Sequence, residues 1–140
     1  MARAELDVVG RELGWEGDAL AVVEVEGKGP GNALLCEVEA EHARELFAAF
    51  GERGRPAEAV ALAAVQEVRE YLALDVPVGP HLADQLLLLC ALAGGGRFRT
   101  GALTGHTRTQ VEVIERFLPL SVARRDLGAG VFELEVLPRD

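Results

Sequence analysis

A short segment rich in proline and glycine separates two stretches of the chain that differ in their pattern of apolar residues. It covers residues 75–80 and reads DVPVGP. Proline lacks a backbone N–H and fixes φ, so two prolines with a glycine between them interrupt any helix or strand. We therefore take this segment as the candidate domain boundary. The elements on its two sides are then predicted separately.

Beyond the boundary, helical and strand patterns alternate. Apolar periodicity, with glycine or proline at the ends of the patterns, predicts a helix over residues 81–93, a strand over 97–100, a helix over 107–118, and strands over 120–125 and 130–136. The resulting order, α-β-α-β-β, suits helices packed on one face of a sheet. This half of the chain therefore predicts an α+β fold.

Before the boundary, the same reasoning predicts a helix over residues 3–13, strands over 20–26 and 33–39, and a helix over 58–74. Residues 27–32 (GKGPGN) would connect the two strands as an antiparallel hairpin. The long helix would bury one side, which carries Val60, Ala64, Val65, Val68 and Leu72. Residues 41–50 are ambiguous, although their Ala, Glu and Leu content favours a helix.

The composition is that of a globular protein outside membranes. The chain has 140 residues, of which 49% are hydrophobic and 26% are charged, and this excludes a disordered chain. Its longest apolar run, residues 86–93, is too short to cross a bilayer. The first residues lack the apolar core of a secretion signal, so we expect a cytoplasmic protein. Cys36 and Cys90 are then expected to be buried, reduced thiols.

The net charge of −9 has the wrong sign for a nucleic-acid-binding surface, but it hides a local exception. No acidic residue lies between Asp84 and Glu112. That stretch carries the basic or titratable residues Arg97, Arg99, His106 and Arg108. Such a segment could hold an anion, or the arginines could simply lie on a solvated surface, and the pattern alone does not decide between the two.

Residues 105–110 (GHTRTQ) contain the most reactive candidate. Thr107 and Gln110 have the spacing of a capping box, which would place His106 just before the first turn of a helix. The free N–H groups and the dipole at a helix start favour a bound phosphate and disfavour a protonated imidazole. His106 would then be a neutral nucleophile. Taken alone, the motif favours a surface histidine at an ordinary capped helix start, because capping boxes are common.

Residues 81–85 (HLADQ) form a second candidate. His81, Asp84 and Gln85 would share one side of a helix and make a polar rim over an apolar floor, as in a nucleotide-base pocket. The simpler alternative is a solvent-exposed first turn. The segment GKGPGN lacks the spacing of a phosphate-binding P-loop. No metal-binding set appears around His42 or the other histidines, so no metal-ligand residues are predicted.

Several motifs occur together and in order. They are residues 29–35 (GPGNALL), 57–60 (AEAV), 81–88 (HLADQLLL), 91–96 (ALAGGG), 106–110 (HTRTQ) and 113–119 (VIERFLP). Jointly they resemble the RNA 3′-terminal phosphate cyclase family over almost the whole chain. The resemblance implies transfer of AMP from ATP to a histidine and then to an RNA 3′-phosphate. Attack by the neighbouring 2′-hydroxyl would give a 2′,3′-cyclic phosphate end and AMP.

The resemblance also implies roles for particular residues. His106 matches the histidine that becomes adenylylated in the family motif His-Thr-x-Thr-Asn, with Gln110 in place of Asn. His81, Asp84 and Gln85 match the segment that holds adenine and ribose. His81 stands where relatives can have Tyr, and Leu89 stands where Pro is common. A divalent metal, Mg or Mn, would assist, and none of these residues is assigned to it.

Finally, the resemblance implies an architecture. Residues 1–76 would be most of an inserted small α/β domain, and residues 77–140 would be the last α-β-α-β-β repeat of the large catalytic domain. It tilts residues 41–50 toward a strand. Family members are much longer, so we expect the chain to be inactive without an N-terminal half that brings basic residues to the RNA end. Two alternatives are a non-catalytic cyclase-like fragment acting as a binding or assembly module, and an enolpyruvyl-transferase-like enzyme. The latter gives no reason for a nucleophilic histidine at a helix start.

Overall fold

The computed structural model describes residues 1–41 and 43–139, and this part of the chain has an α+β fold, as predicted. His42, to which the sequence assigns no role, lies outside the described residues. The elements are α1 (Ala2–Leu13), a 3₁₀ turn (Gly17–Ala19), β1 (Ala33–Glu39), β2 (Arg44–Phe50), α2 (Ala57–Leu74), α3 (Pro80–Leu92), β3 (Gly96–Thr100), α4 (Gly105–Phe117), β4 (Leu120–Gly128) and β5 (Val131–Pro138). None of the described helices is both long and apolar enough to pass through a membrane.

The chain divides into two compact units. The first comprises Met1–Val38 and Leu46–Glu70, and the second comprises Glu39–Glu45 and Tyr71–Asp140. The assignment of residues 1–76 to an inserted domain and of residues 77–140 to a catalytic repeat stays a prediction. The candidate site residues named above all fall within the second unit.

Strands β1 and β2 form a two-stranded sheet, and α1 of the first unit ends as predicted at Gly14, whose φ of 70° suits a glycine. The buried side of α2 carries Val60, Ala61, Ala64, Val65 and Val68. Leu72, predicted for that side, is instead 53% exposed. Leu72 and Tyr71 both lie about one turn beyond Val68 on the helix. The buried stripe continues from Val68 to Tyr71, which is buried, and not to Leu72.

The predicted strand over residues 20–26 is wrong, and with it the hairpin through residues 27–32. Residues 20–32 contain no helix or strand, and Val23 and Val25 are exposed. The alternating pattern lacks a covering layer here, and a strand without one gains too little burial to persist. The connecting segment is held differently: Asn32 Nδ2 donates to both carboxylate oxygens of the buried Glu5, each at 2.8 Å.

Residues 44–50 form strand β2, which settles the ambiguity against helix propensity. Glu45, Phe47 and Ala49 are buried and alternate with exposed neighbours. A period of two buries one side of a strand, whereas a helix would have exposed part of this set. Pairing with β1 therefore decides the conformation more strongly than composition does.

The second unit contains a three-stranded antiparallel sheet in the order β3-β5-β4. Both α3 and α4 pack on one face of it, as predicted from the α-β-α-β-β order. Their shared core comprises Leu87 and Ala91 of α3, Val111 and Ile114 of α4, and Leu120, Val122, Leu134 and Val136 of the sheet. Strands β4 and β5 extend beyond their predicted ends, to Gly128 and Pro138. This layer fixes the two helices whose starts carry the candidate residues.

The two cysteines are free thiols. Cys36 is buried in β1, and Cys90 is partly buried in α3 beside the core of the second unit. Burial raises the pKa of both thiols, because a thiolate is poorly solvated there. Neither side chain is therefore poised for nucleophilic chemistry near neutral pH.

Candidate functional site

Helix α4 starts two residues earlier than the sequence predicts. Its N-cap is Thr104, whose hydroxyl oxygen accepts a hydrogen bond from the backbone N–H of Thr107 at 3.1 Å. The predicted N-cap, Thr107, is instead the third helical residue and is 1% exposed. Its hydroxyl contacts that of Thr104 at 3.0 Å. A side-chain oxygen that reaches an N–H three residues on is the usual capping geometry, and Thr104 supplies it first.

His106 therefore lies within the first turn of α4 rather than just before it, and its side chain is exposed. The first N–H groups of a helix have no intrahelical partner, and the dipole makes this end favourable for an anion. The correction moves His106 closer to these groups. A phosphate bound at the start of α4 would still lie beside the imidazole.

Helix α3 starts at Pro80, with Gly79 as N-cap. Gly79 has no side chain to serve as a cap, and its N–H donates instead to Oε1 of Glu45 at 2.5 Å. His81 is in the first turn, and Asp84 and Gln85 follow one turn later. The sequence analysis missed Glu45. An acidic residue at an inward position of an alternating segment was the available signal, but only once residues 44–50 were known to form a strand.

The starts of α3 and α4 enclose an open cleft of about 560 Å³. Its walls are formed by Asp84 from α3 and by Gly105, His106, Thr109 and Gln110 from α4. A smaller cleft of about 210 Å³ shares Asp84 and Gln110 with it and adds Gln85 and Leu88. The structure therefore brings three of the four predicted residues, Asp84, Gln85 and His106, to two adjoining clefts.

Asp84 carries an unusual oxygen. Its Oδ1 is buried and has no hydrogen-bond partner within residues 1–41 and 43–139. A buried polar atom without a partner costs free energy, and this oxygen is covered by protein rather than open to the cleft. Asp84 as a residue lies in the wall of the cleft.

His81 is placed differently. It is exposed in the first turn of α3 and does not belong to the wall of either cleft. Its positive charge acts on Glu45, where it helps to lower the pKa of that carboxyl group. The adenine-stacking role of His81 stays a prediction.

Glu45 is 2% exposed, and burial raises its pKa above the ordinary value. The hydrogen bond from Gly79 and the charge of His81 oppose this rise without cancelling it. Tyr71 of α2 is also buried, and its pKa is raised by burial and then by the negative charge of Glu45. A buried polar group thus adjoins the start of α3.

The basic stretch between Asp84 and Glu112 is not one surface around the cleft. Among its four basic or titratable residues, His106 is the one that lines it. Arg99 of β3 faces Glu133 of β5 at 3.8 Å, and Arg125 of β4 binds the same carboxylate at 3.1 Å. No group of three His, Cys, Asp or Glu side chains suited to a metal ion occurs among the described residues.

Comparison with known proteins identifies the family. A family model described as RNA 3′-terminal phosphate cyclase matches residues 8–123. A protein of that name from Salmonella enteritidis PT4 is 53% identical over 100 residues, which are 71% of this chain and 30% of the relative. One from Pseudomonas fluorescens is 46% identical over 110 residues, 79% of this chain and 32% of the relative. One from Ectopseudomonas mendocina is 37% identical over 137 residues, 97% of this chain and 40% of the relative.

The chain belongs to the RNA 3′-terminal phosphate cyclase family, as the sequence motifs predict. It spans between 30% and 40% of the length of these curated relatives. Family membership is therefore a property of this chain, and the activity of the longer relatives is treated below as a proposal.

Proposed function

We propose that this chain carries the nucleotide-binding and adenylylation site of an RNA 3′-phosphate cyclase, with His106 as the nucleophile. The reaction would convert an RNA 3′-phosphate into a 2′,3′-cyclic phosphate at the expense of ATP. The observation that carries the proposal is the cleft in which His106 of α4 lies opposite Asp84 of α3. Family membership supplies the reaction class.

The chemistry would proceed in three steps. A neutral ring nitrogen of His106 attacks the α-phosphorus of ATP, a P–N bond forms, and diphosphate leaves with the electrons of the broken P–O bond. An oxygen of the RNA 3′-phosphate then displaces the imidazole, which regains its free ring nitrogen. The ribose 2′-hydroxyl finally attacks the 3′-phosphorus, loses its proton and expels AMP.

The residues around the cleft support separate roles in the first step. The Asp84 carboxylate would accept a hydrogen bond from a ribose hydroxyl, and the Gln85 amide would reach the nucleoside from the adjoining cleft. The free N–H groups at the start of α4 would bind an α-phosphate oxygen beside His106. His81 would stack on adenine only if the nucleotide extends beyond the clefts toward the first turn of α3.

A divalent metal, Mg or Mn, is the proposed cofactor. Magnesium usually binds to substrate phosphates and to one or two carboxylates, and it retains several waters. The described residues contain no dedicated set of ligands, so the ion would enter bound to the triphosphate. When bound, it would neutralise phosphate charge during attack.

The proposed partners are an RNA 3′-phosphate end and the N-terminal portion of the cyclase. Several large apolar side chains of α3 and α4 are exposed: Leu88, Leu89 and Leu92 of α3, and Val113 and Phe117 of α4. An apolar surface of this kind favours association with another protein surface. The net charge of −9 supports a partner that supplies basic residues for RNA. The free thiols and the use of ATP suit the cytoplasm.

The direct test is labelling with ATP radioactive at the α-phosphate. The chain is incubated with this ATP either alone or together with the N-terminal portion of a relative. No 3′-phosphorylated RNA is added, and covalent label on the protein is measured on a denaturing gel. We expect label in the mixture, none with γ-labelled ATP, and none with His106→Ala. Glu112→Gln is the matched control, because Glu112 is exposed on another side of the same helix.

Two outcomes would contradict the assignment in different ways. If label persists in His106→Ala, another residue is the nucleophile. If the two portions form a complex but no label appears, the chain acts as a non-catalytic assembly module. The exposed apolar residues of α3 and α4 are the observation that favours this second function.

A further inference from the structure

We propose that Glu45 is a positioning residue for the nucleotide site. Its carboxylate holds the start of α3, and thereby sets the direction in which Asp84 and Gln85 face the clefts. The identity of the ligand rests on the proposed function, whereas the positioning itself concerns only this chain. Glu45 contacts neither cleft and therefore touches no substrate.

The contact between Glu45 and Gly79 is close and buried. Glu45 is 2% exposed, and its Oε1 accepts the N–H of Gly79 at 2.5 Å. A Cβ atom at position 79 would lie 2.7 Å from Cδ and from Oε2 of Glu45. Gly79 has φ −80° and ψ 176°, an extended conformation that any residue adopts. A side chain at position 79 would therefore displace the carboxylate, although the backbone conformation itself accepts any residue.

Gly79 and Pro80 supply no cap of their own to the start of α3. Gly79 has no capping side chain, and Pro80 has no N–H to donate. Asp84 follows one turn later and lines the larger cleft, and Gln85 lines the adjoining one. The direction in which both side chains leave the helix follows the backbone of α3. A carboxylate that fixes the helix start consequently fixes the positions of these two residues.

One residue of α2 and one of α3 interact electrostatically with Glu45. Tyr71 of α2 is buried near it, and His81 of α3 contributes a favourable positive charge. Glu45 has a remote position in the sequence, 34 residues before Gly79. The three residues and the Gly79 N–H all belong to the second unit.

The test uses four variants of the 140-residue chain and one control variant. Glu45→Gln keeps an acceptor oxygen for Gly79, and Glu45→Ala removes it. Gly79→Ala adds the Cβ atom that displaces the carboxylate. The double variant, Glu45→Ala with Gly79→Ala, adds the same atom where no carboxylate remains. Glu39→Ala is the matched control, since Glu39 ends the paired strand β1 with an exposed side chain.

Three measurements are made on each variant. Backbone amide resonances report the environment of Gly79 and of residues 81–85. Titration with ATP, with the N-terminal portion of a relative present, gives the dissociation constant, and cyclisation assays separate the KM for ATP from kcat. A general loss of structure would lower all signals, whereas a positioning role raises the KM for ATP while kcat changes little.

We expect Glu45→Ala and Gly79→Ala to weaken ATP binding about tenfold each, and Glu45→Gln to stay within about threefold of the unaltered chain. The double variant should be no worse than Glu45→Ala, because the clash at position 79 has gone. The amide resonances of residues 81–85 should shift in Glu45→Ala and in Gly79→Ala, and they should stay unchanged in Glu39→Ala.

The inference is overturned if Glu45→Ala leaves the amide resonances of residues 81–85 unchanged. It fails equally if Glu45→Ala shifts these resonances without weakening ATP binding. It is also overturned if Gly79→Ala is equally harmful with and without Glu45. If the unaltered chain binds no ATP at all, the proposed function fails, and the amide shifts alone decide whether Glu45 positions α3.

Discussion

The two helices that border the clefts are capped in different ways. Helix α4 is capped locally, because Thr104 accepts the N–H of a residue three positions on, Thr107. Helix α3 is capped from a distance, because Gly79 donates to Glu45, which lies 34 residues earlier. A local cap accompanies its helix wherever the helix lies. A remote cap exists only when strand β2 is correctly placed, so Asp84 and Gln85 of α3 depend on tertiary structure more than His106 does.

The largest expected effect comes from removing the remote cap. Glu45→Ala leaves the N–H of Gly79 buried without an acceptor, and a lost buried partner costs about 1–3 kcal/mol of unfolding free energy. Glu45→Gln should recover most of this loss. Urea denaturation of the three proteins measures both effects. Equal losses for Ala and Gln would mean that the charge of Glu45, rather than its hydrogen bond, stabilises the helix start.

Removing the local cap should cost less. Thr104→Ala is expected to lower the unfolding free energy by about 1 kcal/mol, while Thr104→Ser keeps the accepting hydroxyl and should lose little. Hydrogen exchange should increase at the first turn of α4 and remain unchanged at the first turn of α3. Faster exchange in both helices would show that the two helix starts are coupled, which would contradict an independent local cap on α4.

The remote cap should also make stability depend on pH. Burial raises the pKa of Glu45 above its ordinary value of 4.5, so the folded chain holds this proton more tightly than the unfolded chain. Its contribution is fully present below the ordinary value and is lost as pH rises through the raised pKa. The stability of the unaltered chain relative to Glu45→Gln should therefore fall with increasing pH, measured by urea denaturation from about pH 4 to about pH 8.

Glu12 provides the opposite sign in the first unit. Hydrogen bonds from Arg11 and Arg69 lower the pKa of its carboxyl group. Its contribution is present above the ordinary Glu value and is lost as pH falls through the lowered pKa. Relative to Glu12→Gln, the unaltered chain should gain stability with increasing pH. A pH slope of the same sign in both comparisons would contradict these assignments.

The smallest effect is expected at Thr100, where a substitution tests burial of a polar group without the loss of a helix cap. Its hydroxyl is buried at the end of β3 and has no hydrogen-bond partner among the described residues. Thr100→Val keeps the shape and removes an unpaired polar group, so the unfolding free energy should change by less than about 0.5 kcal/mol or rise. Thermal denaturation would measure this change. A large loss would reveal a hydroxyl partner, and burial alone would no longer distinguish Thr100 from Glu45.

The sequence was most informative where local patterns and tertiary packing agree. Helical periodicity and glycine or proline stops correctly predicted α3, α4 and the order α-β-α-β-β, because these signals reflect steric rules within a few residues. The same local reasoning failed at residues 20–26, where alternation found no covering layer, and at the exact start of α4, where two threonines compete as caps. It left residues 41–50 open, because only pairing with β1 makes residues 44–50 a strand.

For the candidate site, the sequence by itself determined the residue types and the family: the motifs around His81, Asp84, Gln85 and His106 are sufficient for both. Only the tertiary structure decided which of these residues meet. Packing of α3 and α4 on one sheet places Asp84, Gln85 and His106 at adjoining clefts and leaves His81 beside Glu45. Hydrogen bonds and contacts between distant residues depend on how layers pack, and no local pattern in the chain records the 34-residue link between Glu45 and Gly79.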